Sequence, residues 1–245
     1  MTLSFIVPAY NEEKYISKCL QSLLNQKGIS SFEVIVVDNN SNDATSEIVQ
    51  RDFPLARLIH EPRQGMTKAR NRGAKEAQGN ILAFIDADSM IPDHWAKTAL
   101  SYFSQDPRLV GISGPSRFYD LPMRYKFIEF VNFKILYPVI GEFLLKSVLK
   151  KGALWNGADI AVRKDAFERA GGFSEEIIMY GEDLDLARKL MKQGKVRFIQ
   201  NMWVWSSARR LLKGNPIAEG FRYLFQYSWF FLTGKSKETS YKEIR

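Results

Sequence analysis

The sequence predicts an α/β domain built on a mostly parallel central sheet flanked by helices, and three observations carry that reading. Short apolar runs recur at residues 3–7, 32–37 and 81–85, each apolar on both faces, as strands buried on two sides are. Each run is followed by a polar turn and then by apolar residues at helical spacing, and repeated strand–helix alternation specifies a parallel sheet with right-handed crossovers. The 245 residues, 45% hydrophobic and 25% charged, suffice for one large α/β domain or two small ones with a sizeable core.

The elements follow in order. Leu3-Ser4-Phe5-Ile6-Val7 is a strand, expected to be broken at Pro8. Tyr15, Ile16, Cys19, Leu20, Leu23 and Leu24 then mark a helix, with Asn11 as its N-cap, acids in its first turn and Gly28 at its end. A second strand delivers Asp38, and the run from Asn39 to Asp43 is a turn and cap before a helix carrying Ile48 and Val49. Residues 57–60 form a third, shorter strand. Gly65 precedes a basic helix expected to reach Gly79. After the strand at 81–85, further strands are expected at 160–162 and 196–199, with a helix opening at Glu182-Asp183.

Composition narrows the function classes. Cys19 is the only cysteine, which excludes an internal disulfide and any cysteine-cluster metal site; it falls on an apolar helical face and reads as packing. The first residues enter a strand without a basic leader segment, so no signal peptide is expected and the location reads as cytoplasmic. Net charge is +8 and uneven: residues 1–100 hold 11 Lys+Arg against 12 Asp+Glu, and the remaining 145 hold 24 against 15. Nucleic acid, anionic lipid and a diphosphate-bearing substrate all suit such a balance. No recognised nucleic-acid motif is present, and both Gly-x-Gly-x-x-Gly and the P-loop are missing.

The chemistry concentrates after the run Ile81-Leu82-Ala83-Phe84-Ile85, which leads straight into Asp86-Ala87-Asp88. Carboxylates at the end of a parallel strand sit at the edge where open α/β sheets bind ligands. Two hard oxygen ligands suit Mg²⁺ or Mn²⁺, which fills its shell with water and substrate phosphates. A plain aspartate cap on the following turn, helped by Pro92, is the competing explanation.

These motifs together resemble family 2 glycosyltransferases of the GT-A fold. Pro8-Ala9-Tyr10-Asn11-Glu12, Asp38-Asn39-Asn40-Ser41, Lys68-Ala69-Arg70-Asn71 and Asp86-Ala87-Asp88 carry the donor half of the resemblance. Asn156-Gly157-Ala158, Gly171-Gly172-Phe173 and Gly181-Glu182-Asp183-Leu184-Asp185 carry the acceptor half. The resemblance covers residues 3–212 and implies one GT-A domain over residues 1–212. It implies an inverting transfer from a UDP- or GDP-sugar to a glycan or lipid-linked acceptor, in cell-surface polysaccharide or glycolipid synthesis. A polyprenyl-phosphate acceptor, or a non-catalytic sugar-nucleotide-binding or membrane scaffold of the same fold, are the alternatives.

Residue by residue, the resemblance implies that Pro8, Tyr10 and Glu12 line the donor nucleotide's pocket and that Asp38 accepts hydrogen bonds from base or ribose. An Asx turn competes for Asp38. Lys68 and Arg70 lie near a helix start and would meet the donor's anionic groups, a solvated basic face being the alternative. Asp88, with Asp86, would hold the divalent cation, Mn²⁺ or Mg²⁺. Asp183 would be the catalytic base, and Asn156, Gly157 and Glu182 would face the sugar and acceptor, while Asp185 reads as structural. Asp159 either caps a turn or contacts the acceptor. Relatives often place a metal-ligating histidine near Ser206; this chain has none there, and Arg209 and Arg210 are instead candidates to hold the diphosphate.

Two segments lie outside the alternation. Residues 117–151 are rich in aromatic and aliphatic residues and hold seven Lys+Arg against three acids, the pattern of an amphipathic insert. Residues 217–232 form an aromatic helix with Lys213, Arg222, Lys235 and Lys237 around it, and residues 235–245 are polar. Lys134 and Glu142 interrupt the best spanning candidate. Both segments therefore suit either an anionic membrane surface, with peripheral attachment at its cytoplasmic face, or packing on the core or in a homo-oligomer.

Overall fold

A computed structural model describes residues 1–131, 135, 139, 155–177 and 180–234. In chain order the first half runs β1 (Leu3–Ala9), α1 (Ile16–Leu24), β2 (Phe32–Asp38), α2 (Thr45–Asp52), β3 (Ala56–His60), α3 (Met66–Glu76) and β4 (Ile81–Ile85). It continues through β5 (Ser89–Met90), α4 (Trp95–Gln105), β6 (Leu109–Ser113), β7 (Ser116–Phe118), a 3-10 turn (Met123–Tyr125) and α5 (Lys126–Val131). The remainder is β8 (Asp159–Arg163), α6 (Lys164–Arg169), α7 (Glu182–Met191), β9 (Lys195–Phe198), β10 (Val204–Ser206), α8 (Arg209–Leu212) and α9 (Pro216–Thr233).

Seven strands form the central sheet in the order β3-β2-β1-β4-β8-β6-β9. The first four are mutually parallel, as the apolar runs lead one to expect. All five side chains of β4 are fully buried, because helices cover both faces. On one face α1, α2 and α4 pack through Ile16, Leu20, Val49 and Trp95 against Phe5, Val36 and Ala83. On the other, α3, α6 and α7 pack through Ala69, Ala166 and Leu186 against Ile6, Ile35 and Phe84.

One strand runs against the rest. β8 is antiparallel to both β4 and β6, and its first residue, Asp159, lies opposite Ile85, the last of β4. A reversed strand brings its entrance, rather than its exit, to the edge where its neighbours end. Asn156 and Gly157 therefore arrive beside Asp86. A second, three-stranded sheet, β5-β10-β7, sits past that edge. Ser206 of β10 pairs with Ser89 of β5, so the chain after β10 emerges next to Asp88.

Several local expectations are corrected. Pro8 does not break β1, which continues to Ala9. Its pairing with β4 ends at Ile6 opposite Phe84, so Pro8 lies beyond the part of the strand that pairs with β4. Asn11 is not an N-cap: α1 starts at Ile16, and Asn11 adopts φ +53°, its Oδ1 accepting from the Asn42 amide at 2.5 Å. α1 ends at Leu24, before Gly28, and α3 ends at Glu76, before Gly79. Cys19 is buried in the core, as expected. Asp159 neither caps a turn nor faces an acceptor. It is fully buried, accepts from Trp95 Nε1 at 3.1 Å, and burial pushes its carboxyl well above the usual range.

Of the amphipathic insert, residues 117–131, 135 and 139 are described, and Phe127, Phe130 and Val131 of α5, with Ile135 and Val139, are exposed. The aromatic and aliphatic positions Phe133, Leu136, Tyr137 and Phe143 to Leu145, and the polar tail 235–245, lie outside the described residues. Among the described residues no helix is long and apolar enough to cross a membrane.

Gly73 marks how closely α3 seats on the sheet. A Cβ there would collide with Ile6 and come within 3.0 Å of Val37. Alanine gains about 1 kcal/mol of helix propensity over glycine, whereas overpacking a filled core costs about 1–3 kcal/mol. Gly73→Ala is expected to destabilise the fold by about 1 kcal/mol net, read from the urea midpoint; a stabilised variant would show that α3 has slack at this contact.

Candidate active site

The site is built outward from the exit of β4. The apolar strand stops at Ile85, and the Ser89 amide donates to the Asp86 carbonyl at 2.9 Å, closing a turn that aims two carboxylates past the sheet. They face an open cleft, about 470 Å³ with the solvent space at its mouth included, walled among others by Pro8, Tyr10, Glu12, Asp86, Asp88, Arg209 and Arg210. Seven of the residues singled out in the sequence thus share one cavity. Asn39 also lines it; its side-chain amide donates to the carbonyls of Glu61 and Arg63 and its Oδ1 accepts from the Gly65 amide. It thereby ties the β2 and β3 exits to the start of α3.

The guanidinium group of Arg209 dominates the cleft. Arg209 Nη2 contacts Glu12 Oε1 at 2.5 Å and Asp88 Oδ2 at 3.0 Å, and its guanidinium carbon lies 4.6 Å from the centre of the Tyr15 ring. Burial raises the carboxyl of Glu12 above its ordinary range, with the Arg209 hydrogen bond and charge pulling the other way. Burial likewise raises Asp88, with Arg209 opposing it. Glu12 Oε2 and Arg209 Nε are buried without a hydrogen-bond partner among the described residues. Behind Asp88, Tyr119 donates its hydroxyl to the Asp88 carbonyl at 3.4 Å, and burial pushes that phenol up to about 12.

Arg70 departs from expectation. It is neither a solvated basic residue nor directed into the cleft, being only 1% exposed. Its Nη2 donates to Asp86 Oδ1 at 2.7 Å and to the Gly157 carbonyl at 2.8 Å, while Nη1 lies 3.6 Å from Glu182 Oε1. Phe173 stacks beneath the guanidinium at 5.2 Å. Arg70 therefore joins the β4 exit, the β8 entrance and α7. Lys68 stands half-buried on the same helix, against Gly65. Asp38 is buried at the end of β2, where its Oδ1 accepts from the Ser41 amide at 3.3 Å and its Oδ2 lies 3.4 Å from His60 Nδ1. The turn contact and the strand-end position expected for it coexist. Asp38, Lys68 and Arg70 are not among the walls of the cleft.

The acid pair of α7 follows a tight approach. Tyr180 and Gly181 both take positive φ, +57° and +103°. A Cβ at Gly181 would lie 2.5 Å from the Phe230 ring, so backbone conformation and space both demand glycine. Glu182 and Asp183 then open α7, each buried, and Asp183 Oδ1 accepts from the Leu184 amide at 2.8 Å. Asp185 is structural, as expected: it accepts from Ser174 Oγ and pairs with Lys189. Asn156 donates its side-chain amide to Ser116 Oγ at 2.7 Å and the Gly114 carbonyl at 3.2 Å, so it braces the loop from within.

Helix α9 supplies residues that sequence reasoning missed. Phe230 packs with Ile177 and Leu184, Tyr223 meets Tyr180 edge-to-face at 5.1 Å, and Arg222 donates to the Tyr180 hydroxyl at 3.2 Å. The aromatic spacing of α9 signalled a helix, but nothing local tied it to the loop at 180–183. Tyr15 beneath Arg209 was likewise read only as a helix-face residue.

The family model for glycosyl transferase family 2 matches residues 4–170. Glycosyltransferase AglE of Haloferax volcanii is 32% identical over 186 residues, covering 74% of this chain and 58% of the relative. Chondroitin synthase of Escherichia coli is 27% identical over 225 residues, covering 78% of this chain and 32% of the relative. The chain thus spans less than two thirds of these curated relatives. Among solved structures, S. aureus TarS 1–349 in complex with UDP-GlcNAc superposes with a TM-score of 0.66 at 23% identity, over 84% of this chain and 58% of that one. A mannosyltransferase from Pyrobaculum calidifontis in complex with GDP-Man and Mn²⁺ gives 0.66 at 23%, over 96% and 65%. At these identities the structures establish a shared fold.

Removing Arg70 should be costly because it is itself enclosed and leaves Glu182 buried, with Asp86 only partly open to the cleft. Arg70→Met is expected to destabilise the chain by about 3 kcal/mol, the lower end of what a broken buried ion pair costs. Equilibrium urea unfolding measures it, and a loss near zero would show that Asp86 and Glu182 find solvent instead.

Proposed function

The chain belongs to glycosyl transferase family 2, and we propose that it moves a sugar from a nucleoside-diphosphate donor to an acceptor hydroxyl, with inversion and with help from a divalent cation. The observation that carries this reading is the joining of two carboxylate sets by one side chain. Arg70 touches Asp86 at the β4 exit and reaches Glu182, the neighbour of Asp183, at the start of α7. Arg70 thereby links the cleft carboxylate Asp86 to the start of α7, where Asp183 is buried next to Glu182 and outside the cleft walls.

In this reading Pro8, Tyr10 and Glu12 border the donor, with Asp38 near the base and ribose. Asp183 takes the proton from the acceptor hydroxyl as its oxygen attacks the anomeric carbon. The Leu184 amide donates to Asp183 Oδ1 and orients that carboxylate at the start of α7. A single displacement with nucleophile and leaving group on opposite faces inverts the sugar. Arg70 keeps Asp86, Gly157 and Glu182 in place, and Arg209 and Arg210 lie where charge grows on the departing diphosphate.

Asp88 and Asp86 are the residues that would hold the cation, and the donor set fits with one condition. Both are hard carboxylates at a cleft wall, as Mg²⁺ or Mn²⁺ requires. Among the described residues no group of three or more acidic, histidine or cysteine side chains is disposed around one point, so water and donor phosphates would complete the shell. Once bound, the cation neutralises charge on the leaving diphosphate. The condition is that Asp88 must first part from Arg209.

The acceptor reading favours a lipid-linked glycan. Ile217, Phe221, Phe225 and Trp229 recur every fourth residue of α9, which places them on one side of it, and they are 44%, 68%, 51% and 39% exposed. The opposite side of that helix packs on the Tyr180–Gly181 loop. With the basic excess beyond residue 100, the stripe suits an anionic membrane surface. The polyprenyl-phosphate alternative shares this requirement.

Two outcomes test these readings. Asp183→Asn is expected to lower transfer by about 10³-fold or more while melting shifts with UDP, GDP and Mn²⁺ match the wild type. Near-normal transfer would remove Asp183 as the base. In vesicle flotation, the Ile217→Ser/Phe221→Ser pair is expected to weaken binding to anionic liposomes by about tenfold or more; unchanged binding would leave the stripe without this role.

A further inference from the structure

Arg209 stands on the very carboxylate that a divalent cation would need. Its Nη2 lies between Glu12 Oε1 and Asp88 Oδ2, it stacks on Tyr15, and it is 16% exposed. The backbone that presents it is pinned: the Ala208 amide donates to Asp120 Oδ1 at 2.5 Å and Ser207 Oγ to Asp120 Oδ2 at 2.6 Å. Only the side chain is left to move. Without a cation here the carboxylates of Glu12 and Asp88, 14% and 12% exposed, would lose their shared partner with little water to replace it, which is costly.

We propose that Arg209 is a built-in counter-cation that excludes a free divalent ion from Asp88 and yields only when a diphosphate arrives to receive its guanidinium. The proposal rests on reading this cleft as the donor site. A metal ion alone must displace Arg209 from Asp88 and leave the guanidinium with one carboxylate, Glu12, in place of two. A diphosphate offers a second anion in the planar, two-pronged form that guanidinium prefers. Arg209 Nε, buried and without a partner among the described residues, supplies a donor for it. Metal and diphosphate binding are therefore coupled, each strengthening the other by the same factor.

The test is Mn²⁺ binding to the full chain without nucleotide, followed by loss of the free-ion EPR signal. Arg209→Gln is expected to bind Mn²⁺ about tenfold tighter than the wild type, a usual size for such coupling, and Asp88→Asn in the Arg209→Gln background should remove the gain. If Arg209→Gln does not fold, the wild type carries the test. Inorganic pyrophosphate should then raise its Mn²⁺ affinity by about tenfold beyond the ion–pyrophosphate complex in solution. Equal Mn²⁺ affinity in wild type and variant, including no binding by either, overturns the proposal, as does no rise with pyrophosphate. Melting shifts of the wild type with UDP or GDP report separately on the donor site: if they persist while the coupling fails, only the role of Arg209 is lost.

Discussion

Glu12, Asp86, Asp88 and Glu182 converge on one edge of the sheet, and the guanidinium groups of Arg70 and Arg209 hold them there. Carboxylates shielded from water repel one another and lose hydration unless a cation and hydrogen bonds replace it. Arg70 does this from inside the fold, buried and shared among Asp86, Glu182 and the Gly157 carbonyl. Arg209 does it from the cleft wall, shared between Glu12 and Asp88. The difference in burial separates their roles. A fully enclosed arginine fixes positions, whereas one at a cleft can exchange partners.

That convergence depends on topology more than on any helix. The parallel strands bring Ala9, Asp38, His60 and Asp86 to the edge. The reversal of β8 adds Gly157 beside Asp86, and the small β5-β10-β7 sheet returns the chain to Asp88 just before Arg209. Tight contacts enforce both arrivals: Gly114 sits so close to Met202 that a side chain there would clash with backbone, and Ser89 and Ser206 hydroxyls meet at 2.8 Å.

Helix α9 links the acid loop to the outer surface. Its inner side fixes the left-handed Tyr180–Gly181 turn through Phe230 and Tyr223. Its outer side carries an apolar stripe that a water-facing helix has no need of. A contact made on that outer side would be one helix diameter, about 10 Å, from the loop that presents Asp183.

Periodicity in the chain determined the layered α/β architecture, because two-sided burial writes continuous apolar runs and helix packing writes a 3.6-residue repeat. The strand at 81–85 and the helix opening at Glu182 were legible to the residue for that reason. The carboxylates were legible too, since an acid after a buried strand stands out against its neighbours. Helix ends such as Ile16 and Glu76 were not, because Asn11, Gly28 and Gly79 make tertiary or turn contacts in place of capping. Only the tertiary structure decided that Arg70 turns inward and that Arg209 pairs with Glu12, 197 residues away in the chain. An arginine reads the same in sequence whether solvated or buried. Its partner is chosen by which strand edges the fold brings within hydrogen-bond reach, and that is a property of β8's reversal and the small sheet rather than of any local pattern.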